Sequence, residues 1–574
     1  MVLKGLQKGG IKNCTPTELN ILCEELRSVI CETVKRCGGH LASNLGAVES
    51  IVALFYTFDF PHDKIVFDVG HQCYPYKLLS GRLDRFNTLR QKDGISGFPK
   101  RTESEYDSYD TGHAGTSVSA ALGFAKARDL LNENYQVIAY VGDGSFNNGL
   151  IYEALNSLKP LNTKVLIVLN DNGMSISPTI GGMHDILDTI SNSNRIDSIK
   201  LLESFGLEYI GVRDGNNLEE MLESFTEAKE KLNNNSVLLH IATKKGKGYE
   251  FSEENPTETH GVSPDGTGKQ REYSHVLGEK LCELAEKDEK ICVVTAAMKE
   301  SLGLSEFFEK YPQRAFDVGI CEENASVLCA AMAAGGVKPY YAIYSTFLQR
   351  AFDEIIHDVC AMDLPVTFCI DRAGISGADG ETHQGVFDLS YLSLIPNLTI
   401  LAPKDCAEFN QMLEESAQYR HPLAIRYPRI GANQFTSLQE KSIFQWEKLK
   451  GAVDDSLVVL AVGERCVQLA MNAYAEMKKL GKSFTVINAR CVKPLDEDFL
   501  KSLSCKFILT IEDNMALGGF GAMVNSFFMQ REIPVTVKNF AYRDEFIKQG
   551  AVSLLQKEYG VDYQEILRYI EERL

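Results

Sequence analysis

The chain has 574 residues, 44% of them hydrophobic and 24% charged, too long for one core and suited to about three or four packed domains on a rough 150-residue scale. Its 59 basic and 78 acidic residues give a net charge of −19. That balance excludes nucleic acid and anionic membrane as principal partners, since both need concentrated positive charge, but allows a small phosphorylated substrate held by a few local cations.

The opening MVLKGLQKGGIKN lacks the apolar segment of a secretion signal, and no stretch approaches the ~18 apolar residues of a membrane span. Fifteen scattered cysteines with no CxxC pair argue against a disulfide framework or a zinc site. A reduced, cytoplasmic setting is expected. Along the chain, KIVFDVG, QVIAYVGDG, KVLIVLND and VLLHIATKKG are followed by KICVVTAAM, RAFDVGI, PVTFCIDR and LTILAPKD, then by SLVVLAVG, SFTVINAR and KFILTIEDN. Short apolar, β-branched runs between amphipathic helices predict an α/β fold of mainly parallel sheets covered on both faces. The pattern breaks in the polar stretches 251–271 and 429–447, which predicts three domains at 1–262, 270–435 and 445–574. In ICEENAS, an apolar run over 325–336 predicts a buried helix with Glu322 and Glu323 at or beside its first turn. A helix dipole alone favours acids there by roughly 0.3–1 kcal/mol.

VGDGSFNNG (141–149) and LNDNGMS (169–175) each follow an apolar strand. Both turns therefore fall at the carboxyl ends of neighbouring strands, where open α/β sheets bind ligands. Gly142 and Gly144 flank Asp143 and let backbone approach a bulky anion. One carboxylate (Asp143), one amide oxygen (Asn172), a backbone carbonyl and phosphate oxygens form a hard oxygen set suited to Mg²⁺ on a diphosphate.

GDG followed by NDN resembles the thiamine-diphosphate motif. Together with GGHLASNLGAVE (38–49), DVGHQCYPYKLLSGR (68–82), GISGFPKR (94–101), YDTGHAGTSVSAALG (109–123), KKGKGYE (244–250), AIYSTFLQRAFDEIIHDV (342–359), DRAGISGADGETHQGVFDLSYL (371–392), IRYPR (425–429) and VKPLDE (492–497), it makes the chain similar throughout to the 1-deoxy-D-xylulose-5-phosphate synthase family, relatives of transketolase. The resemblance implies three transketolase-like domains: one for the diphosphate and metal, one for the pyrimidine, and a C-terminal domain that helps build a homodimer.

It also implies thiamine diphosphate and Mg²⁺ as cofactors, with the cation on Asp143, Asn172 and the Met174 carbonyl. His71, His113, Gly115 and Lys245 would lie near the diphosphate, and Phe347 would stack on the aminopyrimidine. Glu322 would hydrogen-bond the pyrimidine ring nitrogen and so promote proton loss from the thiazolium. The implied reaction joins pyruvate, with loss of CO₂, to D-glyceraldehyde 3-phosphate, opening the methylerythritol phosphate route to isoprenoids. His40, His71, His260 and His383 would handle proton transfers and polar contacts around the reacting carbonyl. Arg372 and Arg429 match the positions that hold the acceptor's phosphate. Tyr344 and Arg350 would line the same mouth, and Asp379 would contact substrate hydroxyls or orient His383. Arg426 reads as a structural arginine, and GGFGAM (518–523) as a tight strand-to-helix turn.

Two departures stand out. The segment after Asn172 is several tens of residues shorter than is usual in the family, and the usual Glu-Gln-His triplet is Glu322-Glu323-Asn324 here. Transketolase-type ketol transfer and a weakly active or regulatory paralogue are the alternative readings.

Overall fold

The computed structural model describes residues 2–6, 10–175, 179–193, 196–264, 271–431, 442–452 and 455–574. By its contacts the chain divides into two compact units, Met1–Gly268 with Gly319–Cys321, and Lys269–Val318 with Glu322–Leu574. Of the two irregular joins expected from sequence, 251–271 and 429–447, residues 265–270 and 432–441 lie outside the described residues. None of the fifteen cysteines is in a disulfide. Among the described residues no helix is long and apolar enough to cross a membrane.

The first unit is built on β1 (Lys64–Phe67), β2 (Val137–Gly142), β3 (Leu166–Asp171), β4 (Leu207–Asp214) and β5 (Ser236–Ala242). They pair in the order β1-β2-β3-β5-β4, parallel throughout. Successive side chains of a strand point to opposite faces, so each apolar run feeds two cores. Ile138, Tyr140, Leu166 and Val168 pack with Leu54, Phe225 and Leu239, while Val137, Ala139, Ile167 and Leu169 pack with Val118, Leu155 and Leu238. Continuous burial on both faces is what the uninterrupted β-branched runs demanded, and it leaves the strand ends as the places where polar groups gather.

The second unit holds two sheets. One contains β6 (Ile291–Thr295), β7 (Ala315–Asp317), β8 (Lys338–Tyr344), β9 (Thr367–Asp371), β10 (Thr399–Leu401) and β11 (Leu423–Arg426); the other contains β12 (Glu447–Lys450), β13 (Leu457–Ala461), β14 (Thr485–Asn488), β16 (Phe507–Met515) and β17 (Thr536–Tyr542). Three residues from the later segment, β15 (Cys491–Lys493), cross back and pair antiparallel with β10, giving the order β15-β10-β11-β9-β8-β6-β7. The remaining sheet runs β12-β14-β13-β16-β17, with β12 antiparallel. Leu401, Ile425, Cys491, Ile508 and Phe520 belong to one apolar core, so the two sheets share their interior.

The alanine-rich run forms the helix Glu322–Ala334, which buries Ala325, Cys329, Ala330 and Ala333. It begins three residues earlier than the apolar run, because Glu322 and Glu323 are themselves its first turn.

Candidate functional site

In the first unit the chain leaves β2 at Gly142 and enters a short helix, Asp143–Phe146. Asp143 is 2% exposed and accepts a hydrogen bond from Thr179 Oγ1 at 2.7 Å. Burial pushes its carboxyl up to about 7, the Asp171 carboxylate adds to this, and Thr179, the Asn172 amide and Lys245 oppose it. The site thus holds an acid that a nearby cation would relieve. Lys245 is buried, donates to the Ser175 carbonyl, and is pulled down to about 8 by burial against the attraction of Asp143.

The Oδ1 of Asn172 is buried with no hydrogen-bond partner. Asn172, Met174 and Lys245 line a cleft of about 420 Å³. The Asp143 carboxylate and Asn172 Oδ1 are oxygen donors of the kind that fits a hard divalent cation carried by a diphosphate.

The turn preceding the Ser117–Leu131 helix is drawn tight beside β1. Gly115 N–H and the amide and hydroxyl of Ser117 all donate to the buried Asp68 carboxylate. Gly115 has φ +88°, and a Cβ there would sit 2.2 Å from Asn148 Oδ1. His113, half-buried, lies in the same turn. Gly144 is equally constrained, its Cβ direction meeting Ser175 Cβ at 2.8 Å, whereas Gly142 faces open space.

Three histidines far apart in sequence converge in the same unit. Ring centroids are 5.7 Å apart for His40–His71, 5.5 Å for His40–His260 and 5.3 Å for His71–His260. Asn44 organises them: its Nδ2 donates to the carbonyls of His40 and His71, both at 2.7 Å, and its Oδ1 accepts from Tyr74 N–H. Burial, then the charges of Lys245, His71 and His40, drive His260 well below the ordinary histidine range.

In the second unit Glu322 is 2% exposed, and its Oε2 has no hydrogen-bond partner. Arg350 Nη1 stands 3.8 Å from that oxygen. Burial pushes the Glu322 carboxyl up to about 7, opposed by Arg350 and assisted by Glu323. Glu323 is only half-buried and Asn324 is exposed. The two neighbouring acids therefore occupy different environments, as the ~100° turn between adjacent helical residues requires.

Tyr344 and Phe347 stack at 5.7 Å, and His383 meets Phe347 edge-on at 5.6 Å. Thr382 Oγ1 lies 2.8 Å from His383 Nδ1. The Arg372 guanidinium lies 3.8 Å from the Tyr344 ring centre, on a left-handed backbone with φ +57°, a conformation an arginine keeps only where its surroundings impose it. Burial pushes Asp371 up to about 6, with Arg372 opposing and Arg429 also within electrostatic reach. Asp379 acts on Arg372. Arg429 Nε is 3.6 Å from Glu272 Oε1.

Each unit thus gathers its own share of the residues singled out in sequence. Arg426 stands apart from them, forked onto buried Asp388 at 2.9 and 3.1 Å. In GGFGAM, the buried Glu512 carboxylate accepts from Phe520 and Gly521 N–H at the start of the Phe520–Gln530 helix. The chain's own carboxylate fills the place a phosphate would need.

Sequence reading missed Asn44, Asp68 and Thr179, which act through hydrogen bonds to backbone or to another side chain. It also missed His240, although a histidine inside the apolar run VLLHIA was a visible signal.

Family models match the chain along most of its length: "1-deoxy-D-xylulose-5-phosphate synthase" over residues 6–201, "Transketolase, pyrimidine binding domain" over 269–433 and "Transketolase, C-terminal domain" over 446–566. The class is therefore transketolase-like, and its pyrimidine-binding domain implies thiamine diphosphate. The 1-deoxy-D-xylulose-5-phosphate synthase of Clostridium beijerinckii is 44% identical, with 98% of this chain and 97% of that protein covered. That of Clostridium perfringens (strain ATCC 13124) is also 44% identical, with 98% of both covered.

The chain belongs to the 1-deoxy-D-xylulose-5-phosphate synthase family. The alignment to the first relative spans 606 positions, more than the chain's 574 residues, so that relative carries residues absent here. Among solved structures, transketolase from Campylobacter jejuni is 19% identical, with 97% of this chain and 100% of that chain covered and a TM-score of 0.47.

Proposed function

We propose that this chain condenses pyruvate with D-glyceraldehyde 3-phosphate to give 1-deoxy-D-xylulose 5-phosphate and CO₂, taking up one proton overall, as the first step of the methylerythritol phosphate route. The observation that carries the reading is Glu322: a buried carboxyl at a helix start, raised to about 7 and with Oε2 lacking a hydrogen-bond partner. It suits a partner that presents a ring nitrogen.

Thiamine diphosphate, when bound, supplies the chemistry that breaks the bond between the carbonyl and carboxyl carbons of pyruvate. The protein's residues bind, orient and move protons. Asp143, Asn172 Oδ1 and the Met174 carbonyl would hold Mg²⁺, and Lys245, His71, His113 and the backbone at Gly115, Gly142 and Gly144 would receive the diphosphate. Phe347 offers a flat face to the pyrimidine, and Glu322 holds or yields a proton at that ring's nitrogen.

His40, His71 and His260 form a cluster able to pass protons and make polar contacts at a substrate oxygen. His383, Tyr344, Asp379 and Arg350 orient the carbonyl and hydroxyl groups of the substrates. Arg372 and Arg429 bind the acceptor's phosphate, for which guanidinium geometry is well matched. The domains are taken as 1–262, 270–435 and 445–574, in a cytoplasmic homodimer.

The test is purified protein with thiamine diphosphate, Mg²⁺, pyruvate and glyceraldehyde 3-phosphate, following CO₂ and the sugar product. Stoichiometric release of both supports the reading. No CO₂ from pyruvate, with ketol transfer from xylulose 5-phosphate, replaces it with a transketolase. No turnover with either donor, despite cofactor binding, replaces it with a regulatory paralogue.

A further inference from the structure

His240 lies inside β5 with no exposed surface. A polar side chain so placed must find partners on both ring nitrogens or cost stability, and it does. Its Nε2 is 3.1 Å from Asp171 Oδ2 and its Nδ1 is 2.9 Å from the Tyr209 hydroxyl. Both ring nitrogens are thus satisfied within the sheet. The strands are brought together for this at Gly211 on β4, which has φ +141° and where a Cβ would lie 2.5 Å from the His240 carbonyl.

Asp171 is the last residue of β3, and its other oxygen accepts from Gly173 N–H at 3.1 Å. The Gly173 carbonyl accepts from Thr179 N–H at 3.0 Å, and Thr179 Oγ1 donates to Asp143 at 2.7 Å. One hydrogen-bonded path therefore runs from Tyr209 through His240 and Asp171 to the turn carrying Asn172 and Met174, and on to Asp143.

We propose that Tyr209, His240 and Asp171 form a positioning relay that fixes the Asn172–Met174 turn for its cation. This rests on the reading that these turns hold a diphosphate-bound divalent metal. Partners lying behind metal ligands are worth roughly 10–100-fold in metal affinity.

The test is to titrate Mn²⁺ into the full-length protein with thiamine diphosphate present, following the free-ion electron paramagnetic resonance signal. Tyr209→Phe, His240→Phe and Asp143→Asn are compared with the unaltered chain. Tyr209→Phe, which deletes one oxygen, should weaken Mn²⁺ by about tenfold and His240→Phe by about 10–100-fold. In the cofactor-free protein, Tyr209→Phe should lower the melting midpoint, because it leaves His240 Nδ1 buried without its partner, and should also speed amide exchange at Gly173 beyond the change seen elsewhere in the sheet. A purely structural role would not produce that combination.

If Asp143→Asn abolishes binding while Tyr209→Phe and His240→Phe bind within twofold of the unaltered chain, the relay is refuted and the metal reading stands. If the unaltered chain binds no Mn²⁺ with thiamine diphosphate, the metal reading falls and the relay with it. Should His240→Phe fail to fold, Tyr209→Phe alone decides.

Discussion

Replacing Glu322 with glutamine should stabilise the cofactor-free protein and cripple it as a catalyst. The carboxyl is 2% exposed, and its folded value stands at about 7 against an ordinary 4.5. Below about pH 4.5 both folded and unfolded chains carry the proton, and the site costs nothing. As pH rises through the window up to 7, the unfolded chain releases its proton first and folding loses stability. Above 7 the full loss is about 3 kcal/mol, at about 1.4 kcal/mol for each tenfold change in proton affinity.

Glutamine keeps the shape and removes the charge. At pH 8 the cofactor-free Glu322→Gln protein should therefore be about 3 kcal/mol more stable, and at pH 4.5 nearly unchanged. For a cooperative unit of roughly 300 residues that is a rise of about 5 °C in melting midpoint. Scanning calorimetry at matched scan rates across pH reads it directly. The same variant should lose at least about 10²-fold in kcat with its Mg²⁺ affinity retained. A midpoint at pH 8 equal to or below that of the unaltered chain would refute the burial argument. If Glu323→Gln behaved this way and Glu322→Gln did not, the assignment would move by one residue.

Arg372, half-buried, and Arg426, buried, should part company. Arg372→Lys should raise KM for glyceraldehyde 3-phosphate at least about tenfold while KM for pyruvate stays within twofold, because a point charge replaces a fork on phosphate. Arg426→Met should instead cost about 3–5 kcal/mol of stability by leaving Asp388 buried and unpaired, seen as a lowered melting midpoint. Gly115→Ala places a methyl 2.2 Å from Asn148 Oδ1 on a backbone at φ +88°. It should cost more than about 1 kcal/mol and weaken thiamine diphosphate binding, and an unchanged midpoint with unchanged cofactor affinity would contradict the crowding described here.

The sequence made the framework legible because parallel strands covered on both faces are written as uninterrupted apolar runs, and because Asp143 and Asn172 follow two such runs directly. The histidine cluster was legible only through resemblance: no periodicity joins residues 40, 71 and 260, and it is Asn44 that ties the first two together. Burial of Glu322 beside exposed Asn324 follows from helix geometry once the helix start is known, and the apolar run alone placed that start three residues late. The Tyr209–His240–Asp171 path was hidden because its members lie on three different strands and meet only when the register of the sheet is set. β15 escaped notice for a related reason, since three residues are too few to show a pattern.

That short strand has a consequence for how such a protein can be divided or recombined. The edge of β10 is covered by a segment that lies some ninety residues downstream, and that segment is three residues long and followed by Pro494, so the sheet ends on a very short strand that offers another chain little ladder to extend. A gene piece ending near residue 435 would carry that strand away and leave an adhesive edge. The last segment is therefore not an interchangeable appendage: any exchange that brought in a foreign C-terminal module would have to bring a matching strand, which ties the inheritance of the two segments together more firmly than the polar stretch between them suggests.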